Sequence, residues 1–516
     1  MQRIEQDQIS SVSRVDYEIV KSHLRHIGAP FYDSEIQKHV NSTPILDITD
    51  QVANFVGDNT RGNSFYLKQE YKNPLTDSVK GRAVASMVLK AVESGAIYAK
   101  SGSRKRWIEP TSGNTGKGLA EIASLLGIEF TAVFSRLDVS EEIKASLARS
   151  GATILTIGSE YSLDDLETLA HKRGKSVTYY WSNIGGADPD TEAFFIDKVA
   201  GEKSKYGKQK PADKILNEID VGLLMDALLP LALEASKAPI ISRVQKGEFE
   251  YLKKDLLKNI PELSDPNALV AFLCFVGNTS MYLSTLLNQL GFSNVCSIQG
   301  GVKALRAQEG STSSSEFCPL PGSSIARSSI EFVKKLVQDN PEEYFTFMQY
   351  ENAENVHAHM TTTGPELKEQ IKSLDYVVCT FGTGGTATGL AKYFLADDGG
   401  GGTTTTTTTR VIVAFPERPV EGIRTISGAD GLAFYKPDLY GSIKIINTES
   451  ISSLDQALLG YFAKNGIGVG PSTGVAILAA IDEAGSQRGK SFAIIAADGI
   501  ENYESEHKSI LGPRPK

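Results

Sequence analysis

The run Phe381-Gly-Thr-Gly-Gly-Thr-Ala-Thr-Gly389 follows the apolar stretch Tyr376–Thr380 (YVVCT) without a gap and leads into a helical stretch around Gly389–Leu395. Strand, glycine-rich loop and helix in this order form the context in which such a loop binds phosphate. Glycine lets the backbone approach the anion, and the helix N-terminus offers free N–H groups and a favourable dipole. The same residues would also serve as an ordinary strand-to-helix turn, so the loop needs support from elsewhere in the chain. Working outward, Arg410–Phe415 (RVIVAF) and Phe492–Ala497 (FAIIAA) read as further strands. Upstream, helical Ala83–Val92 and Gly118–Leu126 lead into the strand Ile128–Phe134, and helical Glu141–Gly151 into the strand Ala152–Ile157. This alternation predicts an α/β fold of βαβ units with a mainly parallel sheet.

The chain has 516 residues, 41% hydrophobic and 22% charged, with a net charge of −9. That composition is ordinary for a globular protein and argues against a broadly basic surface for nucleic acid or membrane headgroups. Four cysteines are too few for a disulfide scaffold, which points to a reducing compartment. The opening MQRIEQDQISSVSRVDYEIV lacks the apolar segment of a signal peptide, and no apolar run reaches membrane-spanning length, so a cytoplasmic location is expected. The length implies more than one domain. Residues 1–40 read as an N-terminal arm, and the GGGGTTTTTTT run between Asp398 and Arg410 as a surface loop. From Ser159 to Leu320 the alternation lapses into a lysine-rich stretch, Gly201–Lys214, followed by a compact apolar region, Ala268–Leu305.

Two more segments resemble catalytic elements. Asn73-Pro-Leu-Thr-Asp-Ser-Val-Lys80 is a turn that delivers a lysine to a helix start, and Glu109-Pro-Thr-Ser-Gly-Asn-Thr-Gly116 is a loop of small hydroxyls and N–H groups feeding a helix. Together with Phe381–Gly389, in this order, they resemble the cysteine synthase and cystathionine β-synthase group of fold-type II pyridoxal-phosphate enzymes, which includes O-acetylserine and O-phosphoserine sulfhydrylases. Gln349–Asn355, His359 with Thr362-Thr-Gly-Pro-Glu366, and Gly470-Pro-Ser-Thr-Gly474 extend the resemblance, which covers residues 41–157 and 321–500. It implies a two-lobed core similar to the tryptophan synthase β chain, pyridoxal 5'-phosphate as cofactor, and a homodimer.

By the same resemblance, Lys80 carries the cofactor through its aldehyde and later removes the substrate α-proton. Gly382, Thr383, Gly384, Gly385 and Thr386 hold the phosphate, and Asn114 bonds the cofactor's 3-hydroxyl. Thr111, Ser112 and Thr115, with Gln349 nearby, grip the substrate carboxylate. Ser472 faces the pyridine nitrogen; a serine there leaves that nitrogen largely unprotonated, which suits β-elimination and replacement better than transamination. TSGNT in place of a serine-alanine-glycine-asparagine-histidine loop argues against a threonine dehydratase. Gly81 is a departure, since many relatives carry aspartate after the lysine. The reaction implied joins a serine ester to a sulfide or persulfide donor. Arg424 could clamp the phosphate of O-phosphoserine, although O-acetylserine stays open as the substrate. Condensation with homocysteine and a non-catalytic scaffold are alternatives.

Relatives run from the strand matching Ala152–Ile157 almost directly to a helix matching Ser324–Val337, so residues 158–320 read as an insertion and 501–516 as a C-terminal tail. Within it, Ala268–Ser280 reads as a strand entering a tight loop, followed by a helix and Phe292–Leu305. This resembles the second half of a rhodanese domain, placed at about 235–310, with Cys274 where the sulfur-carrying cysteine stands. Two features depart from that pattern: Thr279 replaces the usual arginine, and the first half's histidine motif is not recognisable. Cys274 is therefore either a persulfide carrier or a small core residue. Cys379 and Cys296 read as core, and His357 with His359 lack the further ligands a metal would need, so no metal is expected.

Overall fold

A computed structural model describes residues 2–57, 60–111, 113–134, 141–157, 160–161, 163–172, 174–182, 216–218, 250–265, 268–273, 278–292, 294–298, 329–397, 409–417, 420, 422–447 and 451–503. The strands begin with a hairpin, β1 (Phe31–Asp33) and β2 (Lys38–Val40), followed by β3 (Ile45–Asp47) and β4 (Ser64–Gln69). Next come β5 (Arg106–Pro110), β6 (Phe130–Phe134) and β7 (Thr153–Thr156), then β8 (Glu160–Tyr161), β9 (Val177–Trp181) and β10 (Leu216–Glu218). The remainder are β11 (Leu269–Leu273), β12 (Val295–Ile298), β13 (Tyr344–Phe345), β14 (Tyr376–Thr380), β15 (Arg410–Pro416), β16 (Ser442–Ile446) and β17 (Ser491–Ala496). No helix among the described residues is long and apolar enough to cross a membrane.

Beyond the hairpin, three sheets organise the chain. A six-stranded sheet has the order β16-β15-β14-β17-β4-β3, parallel except for β3 at its edge. A four-stranded parallel sheet has the order β13-β5-β6-β7. These two sheets draw their strands from both sides of the 158–320 segment. β14 shows why parallel strands read as apolar runs. Val378 packs with Ala476 and Ala480 of the helix Pro471–Ala484, while its neighbours Val377 and Cys379 pack with Leu390 and Phe394 of the helix Gly385–Asp397. Burial pushes the Cys379 and Cys296 thiols up to about 12, so both behave as core side chains.

The third sheet is built wholly between β7 and the helix Ser329–Asp339. Its five strands are all parallel, in the order β10-β9-β11-β12-β8. Only β11 and β12 fall within 235–310; the other three strands lie upstream of that segment. The helix Asn278–Gln289 packs on β11 and β12 and also meets β7, the edge of the four-stranded sheet. An otherwise open strand edge is thereby covered.

Candidate active site

Lys80 is the first residue of the helix Lys80–Glu93, at the junction of the two core sheets. Val79 N–H donates to the Ala497 carbonyl (2.7 Å) just beyond β17, and Ser78 bridges Asp498, so the lysine is tied to the six-stranded sheet. The helix itself packs with Trp107, Phe130 and Phe134 of the four-stranded sheet. Gly81 has a local reason: a Cβ there would come 2.5 Å from Asn73 Oδ1, whose side chain closes the turn by accepting from Leu75 N–H (3.1 Å). Asparagine thus fills the space that a larger residue after the lysine would need.

A buried charge cluster anchors the first turn of this helix. Arg82 donates to Glu70 (2.7 and 2.8 Å), to Glu366 (2.6 and 2.8 Å) and to Thr43 Oγ1 (2.9 Å). Lys68 Nζ donates to Glu366 (2.7 Å), Gln370 Oε1 (2.8 Å) and the Thr43 carbonyl (2.7 Å). Two cations meet two carboxylates with their hydrogen-bonding groups paired, the condition under which buried charge is tolerated. Burial works against the Glu70 carboxylate, but the Arg82 guanidinium prevails and holds it down to about 2.

The glycine loop faces the lysine. A Cβ on Gly382 would lie 3.5 Å from Lys80 Nζ and 3.0 Å from the Gly422 carbonyl, and Gly384 has φ +90°, a conformation open to glycine. Gly385 opens the helix that runs to Asp397, and its bare Cα leaves room for Asn355, which donates to Thr383 Oγ1 (3.0 Å). Thr386 Oγ1 meets His359 Nε2 (3.1 Å), and His359 Nδ1 meets Thr363 Oγ1 (2.8 Å). His359 belongs to a π-helical turn, His359–Thr363, and burial drives its pKa down to about 3, so it is a neutral prop for the loop. Among the described residues no His, Cys, Asp and Glu group could hold a metal.

The Asn114 loop forms the third wall. Thr111 lies beneath it, its hydroxyl oxygen accepting from Gly113 N–H (3.1 Å) and Gly116 N–H (3.2 Å). Thr115 Oγ1 donates to Gln349 Oε1 (2.7 Å), and Gln349 Nε2 donates to the Pro110 carbonyl (2.9 Å). Glu109 fixes this arrangement from below by accepting three backbone N–H groups, those of Phe347, Met348 and Gln349, all at 2.9 Å. Lys80, Asn114, Thr115, Ser472 and the Gly382–Gly384 backbone line one cleft. Arg424 stands beside it, its guanidinium 5.6 Å from the Tyr350 ring centre and its backbone N–H donating to the Phe381 carbonyl (2.8 Å). Ser112 and Cys274 lie outside the described residues.

One cleft group went unread in the sequence. The Asp498 carboxylate accepts from Asn114 Nδ2 (3.0 Å) and Tyr503 OH (2.7 Å), with Ser472 Oγ at 3.4 Å. Burial raises its pKa above the usual aspartate range, while burial lowers that of Lys80 against the pull of Asp498. The only sequence signal was position: Asp498 follows the last apolar strand, where a parallel sheet presents its binding edge.

The residues present fit pyridoxal phosphate. A lysine of depressed basicity faces a helix N-terminus preceded by a glycine loop, and Asn114 Oδ1 is buried without a partner among the described residues, as a ligand-binding acceptor would be. A cysteine synthase of Staphylococcus aureus is 26% identical over 236 residues, covering 44% of this chain and 74% of that protein. A cysteine synthase of Aquifex aeolicus is 30% identical over 195 residues, covering 36% of this chain and 55% of that protein. The crystal structure of a cysteine synthase from Entamoeba histolytica superposes with a TM-score of 0.49 at 18% identity, covering 92% of this chain and 90% of that one. The profile of the pyridoxal-phosphate dependent enzyme family matches residues 36–196 and 266–498, most of the chain and every described cleft residue except Tyr503, and the chain belongs to that family.

Proposed function

We propose that the chain makes L-cysteine by β-replacement, exchanging the leaving group of O-phosphoserine or O-acetylserine for sulfur. The observation that carries this reading is the meeting of Lys80, Asn114, Ser472 and the Gly382–Thr386 loop in one cleft of a family member whose curated relatives are named cysteine synthases. Pyridoxal phosphate supplies a covalent hold on the substrate amino group and an electron sink for charge at the α-carbon. The backbone of Gly382, Thr383, Gly384 and Gly385 and the Thr386 hydroxyl hold the phosphate. Lys80 Nζ, made less basic by burial, takes the α-proton. Thr115 and Gln349, supported by Thr111, receive the substrate carboxylate, with Ser112 assigned the same task. Ser472 meets the ring nitrogen.

O-Phosphoserine is the favoured substrate because Arg424, its guanidinium over the Tyr350 ring at 5.6 Å, directly follows Gly422 and Ile423 of the cleft lining, where a leaving phosphate could be clamped in bidentate fashion. Arg424→Gln should raise KM for O-phosphoserine roughly tenfold or more and leave O-acetylserine unaffected, the scale of one charge-assisted contact. An equal effect on both esters would exclude the clamp. More basically, loaded wild-type protein should carry a visible absorption band that Lys80→Ala abolishes. A colourless wild type after loading would refute the reading.

The inserted sheet is read as a sulfur-delivery unit. β9 connects onward to β10 on one side and β11 to β12 on the other, and open α/β sheets bind ligands beyond the carboxyl ends of such a diverging pair. Cys274 follows β11 directly, before the helix that meets β7 of the core. It is assigned to take the outer sulfur of thiosulfate as a persulfide with release of sulfite; an external thiol then displaces that sulfur as sulfide, forming a disulfide with Cys274 that a second thiol reduces. Rates with thiosulfate or persulfide should fall in Cys274→Ser while rates with free sulfide hold; equal rates with every donor would make the insertion structural.

A further inference from the structure

Asn355 is a buried amide in the helix Ala353–Ala358 that the roles above do not use. Its Nδ2 lies 2.7 Å from the Gln349 carbonyl and 3.0 Å from Thr383 Oγ1, so a single amino group bridges two walls of the cleft. The orientation is forced: a carbonyl only accepts, so the end of the amide that faces Gln349 must be the donor. Thr383 therefore accepts from Asn355 and keeps its own hydroxyl hydrogen for the cleft that it lines. Gln349 is fixed at three further points. Its Oε1 accepts from Thr115, its Nε2 donates to the Pro110 carbonyl, and its backbone N–H donates to Glu109. The other flank of the amide is filled to contact, since a Cβ on Gly385 would stand 2.0 Å from Asn355 Oδ1. Neither bond of the bridge needs a titratable group in a particular charge state.

We infer that Asn355 is a positioning residue that couples the residues receiving the substrate carboxylate to the loop holding the cofactor phosphate. A carboxylate bound at Thr115 and Gln349 shifts the carbonyl to which Asn355 donates, and the same amide carries that shift to Thr383. Such coupling is reciprocal: an occupied phosphate site favours the carboxylate by the factor with which the carboxylate favours the phosphate. The inference rests on the placement of cofactor and substrate proposed above, and not on the choice of ester or sulfur donor.

The test loads wild type, Asn355→Leu, Thr383→Val and Asn352→Ala with cofactor and follows the ³¹P resonance of its phosphate while propionate is added. Propionate offers a carboxylate but no amino group, so the link to Lys80 stays in place, and its binding is read separately from the visible band. In wild type the resonance should shift as propionate saturates. Asn355→Leu, of similar shape but without a donor, should bind propionate up to about tenfold more weakly, the scale of a lost hydrogen bond, and its resonance should no longer respond. Thr383→Val removes the accepting oxygen at the other end; it should behave in the same way and stands in where Asn355→Leu does not fold. Asn352→Ala removes the cap of the same helix and its bond to the Phe347 carbonyl but leaves both Asn355 bonds, so it should keep the response. A wild type that ignores propionate, an undiminished response in Asn355→Leu, or an equal loss in Asn352→Ala overturns the inference. Failure of the placement itself looks different: without propionate, Thr383→Val would then share the wild-type resonance, and Lys80→Ala would keep the wild-type band.

Discussion

At the start of the Lys80 helix, Arg82, Lys68, Glu70 and Glu366 are buried with every charge facing its opposite, whereas in the five-stranded sheet and its helix Thr285, Asn288 and Ser297 each bury an oxygen with no partner among the described residues. The core cluster ties together residues from Thr43 to Gln370 and so makes the start of the Lys80 helix depend on distant parts of the chain. Among the described residues the five-stranded sheet pairs strands between Glu160 and Ile298, and its helix Asn278–Gln289 meets β7 of the core. A paired buried network specifies one geometry, because each partner lost strands a charge. Unpartnered oxygens at a helix–sheet contact impose no such demand. The start of the Lys80 helix is thus fixed by paired charge, a constraint that Thr285, Asn288 and Ser297 do not place on the five-stranded sheet.

The chain's two tryptophans, Trp107 in β5 and Trp181 in β9, lie one in each region, so single-tryptophan variants can follow them separately. The largest effect should come from Glu366→Ala. It leaves Arg82 and Lys68 short of a carboxylate and should cost about 3–5 kcal/mol in the Trp107-reported transition, with Trp181 much less affected. Equal losses at both probes would break the contrast. Acid should act next. The folded-state pKa of His359 is about 3, below the ordinary 6.5, so its contribution is full above about pH 6.5 and is lost as pH falls toward 3. Glu70 adds a loss in the same direction, as pH falls from its ordinary 4.5 through about 2. Going from pH 7 to 4 should cost roughly 3 kcal/mol through His359, opposed by Glu109, which burial holds up at about 7 and which regains stability over the same range, so the readout is the difference in pH slope between wild type and His359→Gln at Trp107. Gly384→Ala should cost about 1–3 kcal/mol through the φ of +90° and a Cβ 2.5 Å from the Phe381 ring, and it should weaken cofactor binding. The smallest effect should be Thr285→Val, within about 1 kcal/mol at Trp181 and toward stabilisation, since the hydroxyl it removes has no partner among the described residues. A loss of several kcal/mol there would show that the five-stranded sheet is as tightly specified as the charge cluster.

What was legible in the sequence was local. Apolar runs marked β6, β7, β14, β15 and β17 to within about two residues, because buried parallel strands need continuous apolar side chains. The Phe381–Gly389 loop, the Asn73–Lys80 turn and the Glu109–Gly116 loop could be read because their chemistry is carried by neighbours in the chain. The short β8 and β10 could not: they are too brief to show a pattern, and only the five-strand order reveals that they share a sheet with β11 and β12.

The sequence by itself determined the α/β grammar, the family, and the lysine turn and glycine loop proposed as the cofactor site, since each depends on residue types at short spacing. The tertiary structure alone decided which buried groups meet. Glu109 under the Gln349 backbone and Asp498 against Asn114 are contacts across 240 and 384 residues of chain. A hydrogen bond extends about 3 Å and is indifferent to sequence distance, so no local pattern announces its partner.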